Sequence, residues 1–454
     1  MSQEIVGVRR LYILFLLFAV AVINMIDRQL MGVVIEPIKR EFHVSDAAMG
    51  LLTGLAFASV YCCCAIPIAR YADRANRRNV IVAACAVWSL MTVVCGTVTG
   101  YWQLAFARMG VAIGESGSNA PSMSMLADLY PPKRRAKAIG VLMLAAPVGT
   151  LIGMTVGAYL TYYHGWRTMF FWLGMPGLVV SLLLWSTTGE PHRIHHAGDI
   201  RRHQAEHANQ STREVLRDAF RSRTFVTIVA AGSLLAFSGY AFGTWSTAFL
   251  VRAHGMTLRD AGVLMGLSAG PGAVIGSLSS GWLADRLSNR DVRWQLGVPI
   301  IGALLTFPFA IGFTMLPADQ VVHLGAVRIS AIALCILAMS VFAMWWMAPS
   351  YAAITQLFPS DRRATIVSIY NFGILAVGAG LGPIVVGALN DVLTKHLGTD
   401  SLGAALALAS SANVAAAVLL ATSLNGFLRA IRTPDPSADS ANSTGANRAA
   451  TSRA

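Results

Sequence analysis

Charge is what this 454-residue chain has little of. Only 13% of its residues are Asp, Glu, Lys or Arg, while 55% are hydrophobic, which excludes an ordinary soluble globular protein. No GxxxxGK[ST] segment occurs, so ATP-driven pumping has no phosphate loop to rest on. The GxGxG of Gly378, Gly380 and Gly382 follows no strand pattern and is no nucleotide fingerprint. Cysteine is sparse as well: Cys62, Cys63, Cys64, Cys85, Cys95 and Cys335 all fall inside apolar runs, which argues against a disulfide framework. Three consecutive cysteines on a helix point about 100° apart and cannot converge on one ion. No metal and no cofactor is expected, and no enzymatic chemistry.

What the chain has is apolar length. Twelve runs of roughly 20 residues recur, each long enough to cross a hydrocarbon core about 30 Å thick: 11–34, 47–69, 79–99, 102–127, 136–163, 167–187, 224–250, 258–284, 295–316, 325–357, 364–390 and 402–428. These are helical lengths, not the short alternating segments of a membrane barrel. The expected fold is an all-α integral membrane protein. A formal net charge of +13 suits a nucleic-acid partner only until its distribution is read. With the N-terminus inside, 26 of the 35 Lys and Arg residues fall in cytoplasmic segments, a strong positive-inside bias. Both termini are therefore expected in the cytoplasm of an inner-membrane protein, with no nucleic-acid partner. Arg9 and Arg10 precede the first run as in a signal peptide, but no small-residue cleavage site follows, so an uncleaved first helix is expected.

The chain reads as a duplication. IARYADRANRR (68–78) follows the second run and SGWLADRLSNR (280–290) the eighth; LYPPKRRA (129–136) follows the fourth and LFPSDRRA (357–364) the tenth. Six runs repeated as six predict two pseudo-symmetric bundles, 1–187 and 224–428. Between them 188–223 reads as a polar, His-rich cytoplasmic linker. Its His192, His195, His196, His203 and His207 suit a solvated tether better than a metal site. The tail 429–454 reads as disordered. Asn209 and Asn442 open glycosylation triplets but lie in segments expected to be cytoplasmic.

Two ionised residues, Asp27 and Arg28, stand inside the first apolar run. A charge at that depth costs at least about 2.5–3.5 kcal/mol, so it is a functional candidate by default. The fourth run carries Arg108 and Glu115, seven residues and almost two turns apart, hence on one face. Ser118, Asn119 and Ser122 extend that face. Helical rise places Glu115 near the midplane, Arg108 roughly 9 Å outward and Asp27 roughly 6 Å outward. Asn24 shares the face of Asp27. Two acids and two bases thus occupy one slab of depth. They could form a static lock between runs 1 and 4. Buried pairs are weak stabilisers, however, and a carboxylate that trades Arg for solvent takes up and releases a proton. Asp27 and Glu115 are the expected proton carriers, with Arg108 their partner and an anion anchor, and Arg28 a secondary contact to substrate. The second half offers aromatic surface instead. Tyr240, Trp245, Trp346 and Tyr370, with Asn371, are candidates to line a substrate path, although aromatics at helical spacing more often pack.

The loop motifs carry a family likeness. A basic loop with an Asp-Arg core between runs 2 and 3, repeated between 8 and 9, resembles the signature of the major facilitator superfamily. The second copy, from Gly281 to Arg286, is complete, whereas the first has Ala69 and Asn76 where glycines are usual. More narrowly, NMIDRQLMGVVIEPIKREF (24–42), LLTGLAF (51–57), ARMGVAIGESG (107–117), PSMSMLADLYPPKRRAKAIG (121–140) and HGMTLRDAG (254–262) resemble the spinster-like branch. That resemblance implies a twelve-helix transporter fold, since the branch includes proton-linked carriers of lysophospholipids and sphingoid lipids. It also implies coupling roles for Asp27, Arg108 and Glu115. A cytoplasmic gate would be built from Asp73, Arg77, Arg78, Asp285 and Arg286. The expected protein is a proton-coupled secondary transporter of an amphipathic lipid-like substrate, acting as a monomer among membrane lipids. A carrier of small organic anions and a non-transporting receptor or scaffold are the alternatives.

Overall fold

The structure, a computed structural model, describes residues 2–191, 212–317, 319–324, 327–359 and 362–432. Most of the linker, including all five of its histidines and Asn209, and the tail from 433 with Asn442, lie outside the described residues.

Nine apolar helical stretches among the described residues are long enough to span a membrane. Two of them hold two crossings each. Lys133–Thr187 turns at Gly165, whose φ of 81° only glycine adopts freely. Thr365–Ile431 turns at Gly398, with φ 56° and a short 3-10 segment. A further crossing, 101–129, is broken into Tyr101–Glu115 and Asn119–Leu129. The twelve crossings expected from the sequence follow, numbered here as spans 1–12 in chain order. Helices dominate because lipid offers no partner to a free backbone amide, so each segment must satisfy its own. Where the chain re-enters water, side chains cap the ends: Ser45, Asn76, Ser222 and Thr257 each accept a backbone N–H at a helix start.

The duplication is visible in the breaks. Span 4 breaks between Glu115 and Asn119, and span 10 between Ala343 and Met347. Span 5 breaks at Leu144, and span 11 passes into a π-helix, Ile374–Leu381, after Gly373. The GxGxG of span 11 thus sits in and just after a π-helical stretch, a helix form that is rare and concentrated at functional sites.

Small residues set the close helix contacts. Gly149 and Gly153 of span 5 press against the backbone of span 1 at Val22 and Ile26. Gly262 and Gly266 of span 8 press against span 5 at Met154 and Leu151. Spans 5 and 8 therefore join the two halves along a stripe of small residues, as membrane helices commonly do. One expectation needs correction. Span 10 does not begin at 325, since its helix starts at Ala331. The preceding residues form an antiparallel hairpin, Val321–Leu324 with Val327–Ser330. Its β-branched, alternating pattern is hydrophobic enough to pass for helix entry.

Candidate functional site

Spans 1, 2 and 4 bring the four intramembrane charges together. Asp27, Arg108 and Glu115 are 0%, 3% and 1% exposed. Arg28 donates through Nε to Glu115 Oε2 at 2.8 Å. Here the structure departs from expectation, because the partner of Glu115 is Arg28 rather than Arg108. The reason is local geometry. Arg108 and Glu115 lie in one regular helix, seven residues and about 10 Å apart along its axis, so Glu115 meets a base from span 1 instead. Both guanidinium groups lie over one ring, that of Phe57 on span 2: Arg108 at 5.3 Å and Arg28 at 5.6 Å, with Tyr61 a further 5.1 Å contact for Arg28. Such stacking stabilises a desolvated cation. Asp27 is the anomaly. Among the described residues, both its carboxylate oxygens are buried without a hydrogen-bond partner, as are Nε and Nη1 of Arg108 and Oε1 of Glu115. Native proteins rarely leave such groups unmet, which marks the cluster as a candidate site.

A cavity of about 180 Å³ lies between the halves. On the first-half side it meets Gln29, next to Arg28 in the chain and hydrogen-bonded to Thr150 at 3.0 Å. On the other side the lining carries Phe242, Met265, Met339, Met344 and Trp346, with polar points that include Ser238, Thr306 and Asn413. Tyr240 lies within electrostatic reach of both Arg28 and Tyr351, and Tyr351 donates to Asn371.

The remaining aromatic candidates divide. Trp346 lines the cavity. Trp245 and Tyr370 are 0% exposed and serve packing in this conformation: Trp245 donates to the carbonyl of Pro383 at 2.9 Å, and Tyr370 packs edge-on against Tyr351 and fills the space beside Gly232. Asn24 is buried beside Glu115 with an unpaired amide nitrogen. Asn119 is exposed where the second part of span 4 begins.

At the basic loops, Arg77 is 3% exposed and ties span 3 to span 4 and to the start of the linker. It donates to Asp128 at 2.6 Å, to Glu190 at 2.7 Å and to Ser124 at 2.9 Å. Arg78 donates to the carbonyls of Trp185 and Thr188. Asp73, Asp285 and Arg286 are exposed at the ends of spans 2 and 8, with Arg286 over the Trp282 ring at 5.5 Å.

At the opposite face the halves are clasped by residues the sequence did not single out. Arg252, at the end of span 7, forks onto Asp46 with both bonds at 2.8 Å and reaches Glu36 through Nε. Lys39 and Asn390 add contacts to Asp46 at 2.8 and 2.6 Å. Asp391 of span 11 accepts the backbone N–H groups of Asp46 and Ala47, capping the first helix of span 2 from the other half. No spacing signal joins positions 46, 252 and 391.

Residues 17–383 match the Major Facilitator Superfamily. The chain belongs to this superfamily. It is 27% identical to a bacterial homolog of the human lysosomal transporter Spinster, solved in an inward-facing and unoccupied conformation, with TM-score 0.81 over 94% of this chain and 99% of that one. It is 34% identical to an MFS-type efflux pump of Mycolicibacterium smegmatis over 86% of both chains. Two curated relatives differ in cargo: a gallate transporter of Pseudomonas putida, 28% identical over 93% of both chains, and a sphingosine-1-phosphate transporter of Danio rerio, 25% identical over 84% of this chain and 76% of that one. This facilitator is thus a multi-pass membrane transporter of spinster-like type rather than an enzyme.

Proposed function

We propose that this facilitator couples proton movement to the transfer of an amphipathic, lipid-like molecule, of lysophospholipid or sphingoid type, across the bacterial inner membrane. One observation carries the reading. A buried cluster of two acids and two bases sits in the first half, and the cavity between the halves reaches Gln29, the chain neighbour of Arg28, and has a far wall rich in methionine and aromatic side chains. A polar head would lie by Arg28 and the Glu115 pair, and an apolar tail against Phe242, Met265 and Met339. Soft, unbranched methionines suit a tail of variable shape. The partial exposure of Arg28, 21% of its side chain, favours a second reading in which a small organic anion binds there, as a gallate transporter among the relatives suggests. Proteoliposomes separate the two. Under an imposed pH gradient, the first reading expects movement of a lysophospholipid or sphingoid base with no movement of small carboxylates. The reverse pattern would establish the second.

In this reading both termini and the basic loops face the cytoplasm, the opposite-face clasp is the outer gate, the conformation is inward-facing, and one chain suffices for transport. Single cysteines in a cysteine-free background test the orientation. Asn289→Cys should resist an impermeant thiol reagent applied to intact cells, and Thr399→Cys should react. Labelling at 289 from outside refutes it.

The inner gate would form when the two motif loops close over the cavity. Asp73→Asn with Asp285→Asn should then favour the inward-facing state by about 1 kcal/mol, the scale of a charge near a helix end. Cysteine reactivity on the cytoplasmic ends of spans 4 and 10 should rise several-fold. Unaltered reactivity there would reduce the motifs to helix caps.

A further inference from the structure

Span 3, Arg77–Cys95, carries no ionised residue beyond its first turn, yet one of its side chains faces the charged cluster. Thr92 is 0% exposed, and its hydroxyl has no hydrogen-bond partner among the described residues. That is unusual for a buried threonine in a helix, which by default returns its hydroxyl to a carbonyl one turn back. Thr161 and Thr306 do so here, at 2.8 and 2.7 Å, while Thr247 of span 7, like Thr92, does not. The Thr92 hydroxyl instead faces the Asp27 carboxylate, within reach but outside hydrogen-bonding geometry. The other groups that interact with Asp27 are Arg108 and Glu115 from span 4 and the thiols of Cys85 and Cys95 from span 3, with Arg28 acting through Glu115.

These partners are not equivalent chemically. Arg108 can only donate, so it favours an ionised Asp27 and cannot accept the O–H of a protonated one. A hydroxyl does both: it donates to a carboxylate and, turned about its C–O bond, accepts from a carboxylic acid. We propose that Thr92 is the positioning residue for Asp27, holding the carboxyl in one orientation in both protonation states while span 4 moves Arg108 toward or away from it. Thr92 itself gains and loses no proton; only its hydroxyl rotates. The inference deepens the reading of Asp27 as a proton carrier and rests on it.

The test is the pH profile of transport in proteoliposomes for Thr92→Val, Thr92→Ala and Thr92→Ser, beside wild type and Asp27→Asn. Valine keeps the shape and loses the hydroxyl; serine keeps the hydroxyl. Because the lost hydroxyl stabilises the charged carboxylate more than the neutral one, the Val and Ala midpoints should move toward alkaline pH by about half to one pH unit. The Ser midpoint should match wild type. Val and Ala midpoints equal to wild type, with pH dependence already abolished in Asp27→Asn, overturn the Thr92 role alone. Retained pH dependence in Asp27→Asn overturns the proton-carrier reading beneath it. Having both Val and Ala keeps the test decisive if one of them fails to fold.

Discussion

Arg252→Ala should spring the outer gate. The guanidinium forks onto Asp46 and reaches Glu36, and it crosses from the second half to the first. Asp46 is 1% exposed, so losing Arg252 leaves a desolvated carboxylate beside a second acid, with Lys39 and Asn390 as partial compensation. Breaking a fully buried pair costs about 3–5 kcal/mol. The Arg252 side chain is 18% exposed, and water can enter, so about 2–3 kcal/mol is the better expectation. That cost falls only on the conformation in which the clasp is made. The population open at the outer face should therefore rise roughly 30- to 150-fold. Arg252→Lys keeps the charge but loses the two-pronged geometry and should fall between. Spin labels at His43→Cys and Lys395→Cys, on either side of the clasp, read the outcome as a longer distance distribution. An unchanged distribution in Arg252→Ala would mean that the stripe of small residues between spans 5 and 8 holds the face shut without the clasp.

Asp27→Asn and Glu115→Gln should each abolish gradient-driven accumulation, and they should differ in everything else. With one proton carried per substrate, one pH unit drives up to about tenfold accumulation. An amide at the carrier position cannot titrate, so accumulation should fall to the equilibrium level. Asp27 makes no hydrogen bond in this conformation, and Asn at its place breaks none. Its melting temperature in detergent should stay within about 2 °C of wild type. Glu115 is bound to Arg28 at 2.8 Å. Gln there weakens a charge-assisted bond worth about 1.5–3 kcal/mol and frees Arg28, so stability should drop and affinity for anions should rise. If both variants still accumulate substrate with wild-type pH dependence, the cluster is a static lock between spans 1 and 4.

How much of this was legible in the chain depends on range. The spans and their duplication are written in local hydropathy and in two pairs of loop motifs, so they could be read directly. Asp27, Arg108 and Glu115 declared themselves because a charge in an apolar run is costly wherever it folds. Their pairing was not legible. Helical spacing put Arg108 and Glu115 on one face but about 10 Å apart along the axis, and the carboxylate meets Arg28 of span 1 instead. Phe57 and Tyr61 belong to a third span and have no register with the first or fourth in the sequence. The clasp was invisible for the same reason, since Asp46, Arg252 and Asp391 look like cap or loop residues until three spans converge. Trp245 and Tyr370 show the opposite case. Their chemistry suits a binding wall, but each is fully buried, Trp245 held by the Pro383 carbonyl and Tyr370 packed beside Gly232.

The coupling of substrate to protons is most directly tested by the protons themselves. Proteoliposomes loaded with a pH-sensitive dye and given no gradient should, on addition of a transported lysophospholipid or sphingoid base, show a lumenal pH change that follows substrate movement. The change should be absent in Asp27→Asn. Substrate movement in the wild type with no accompanying pH change would contradict proton coupling outright.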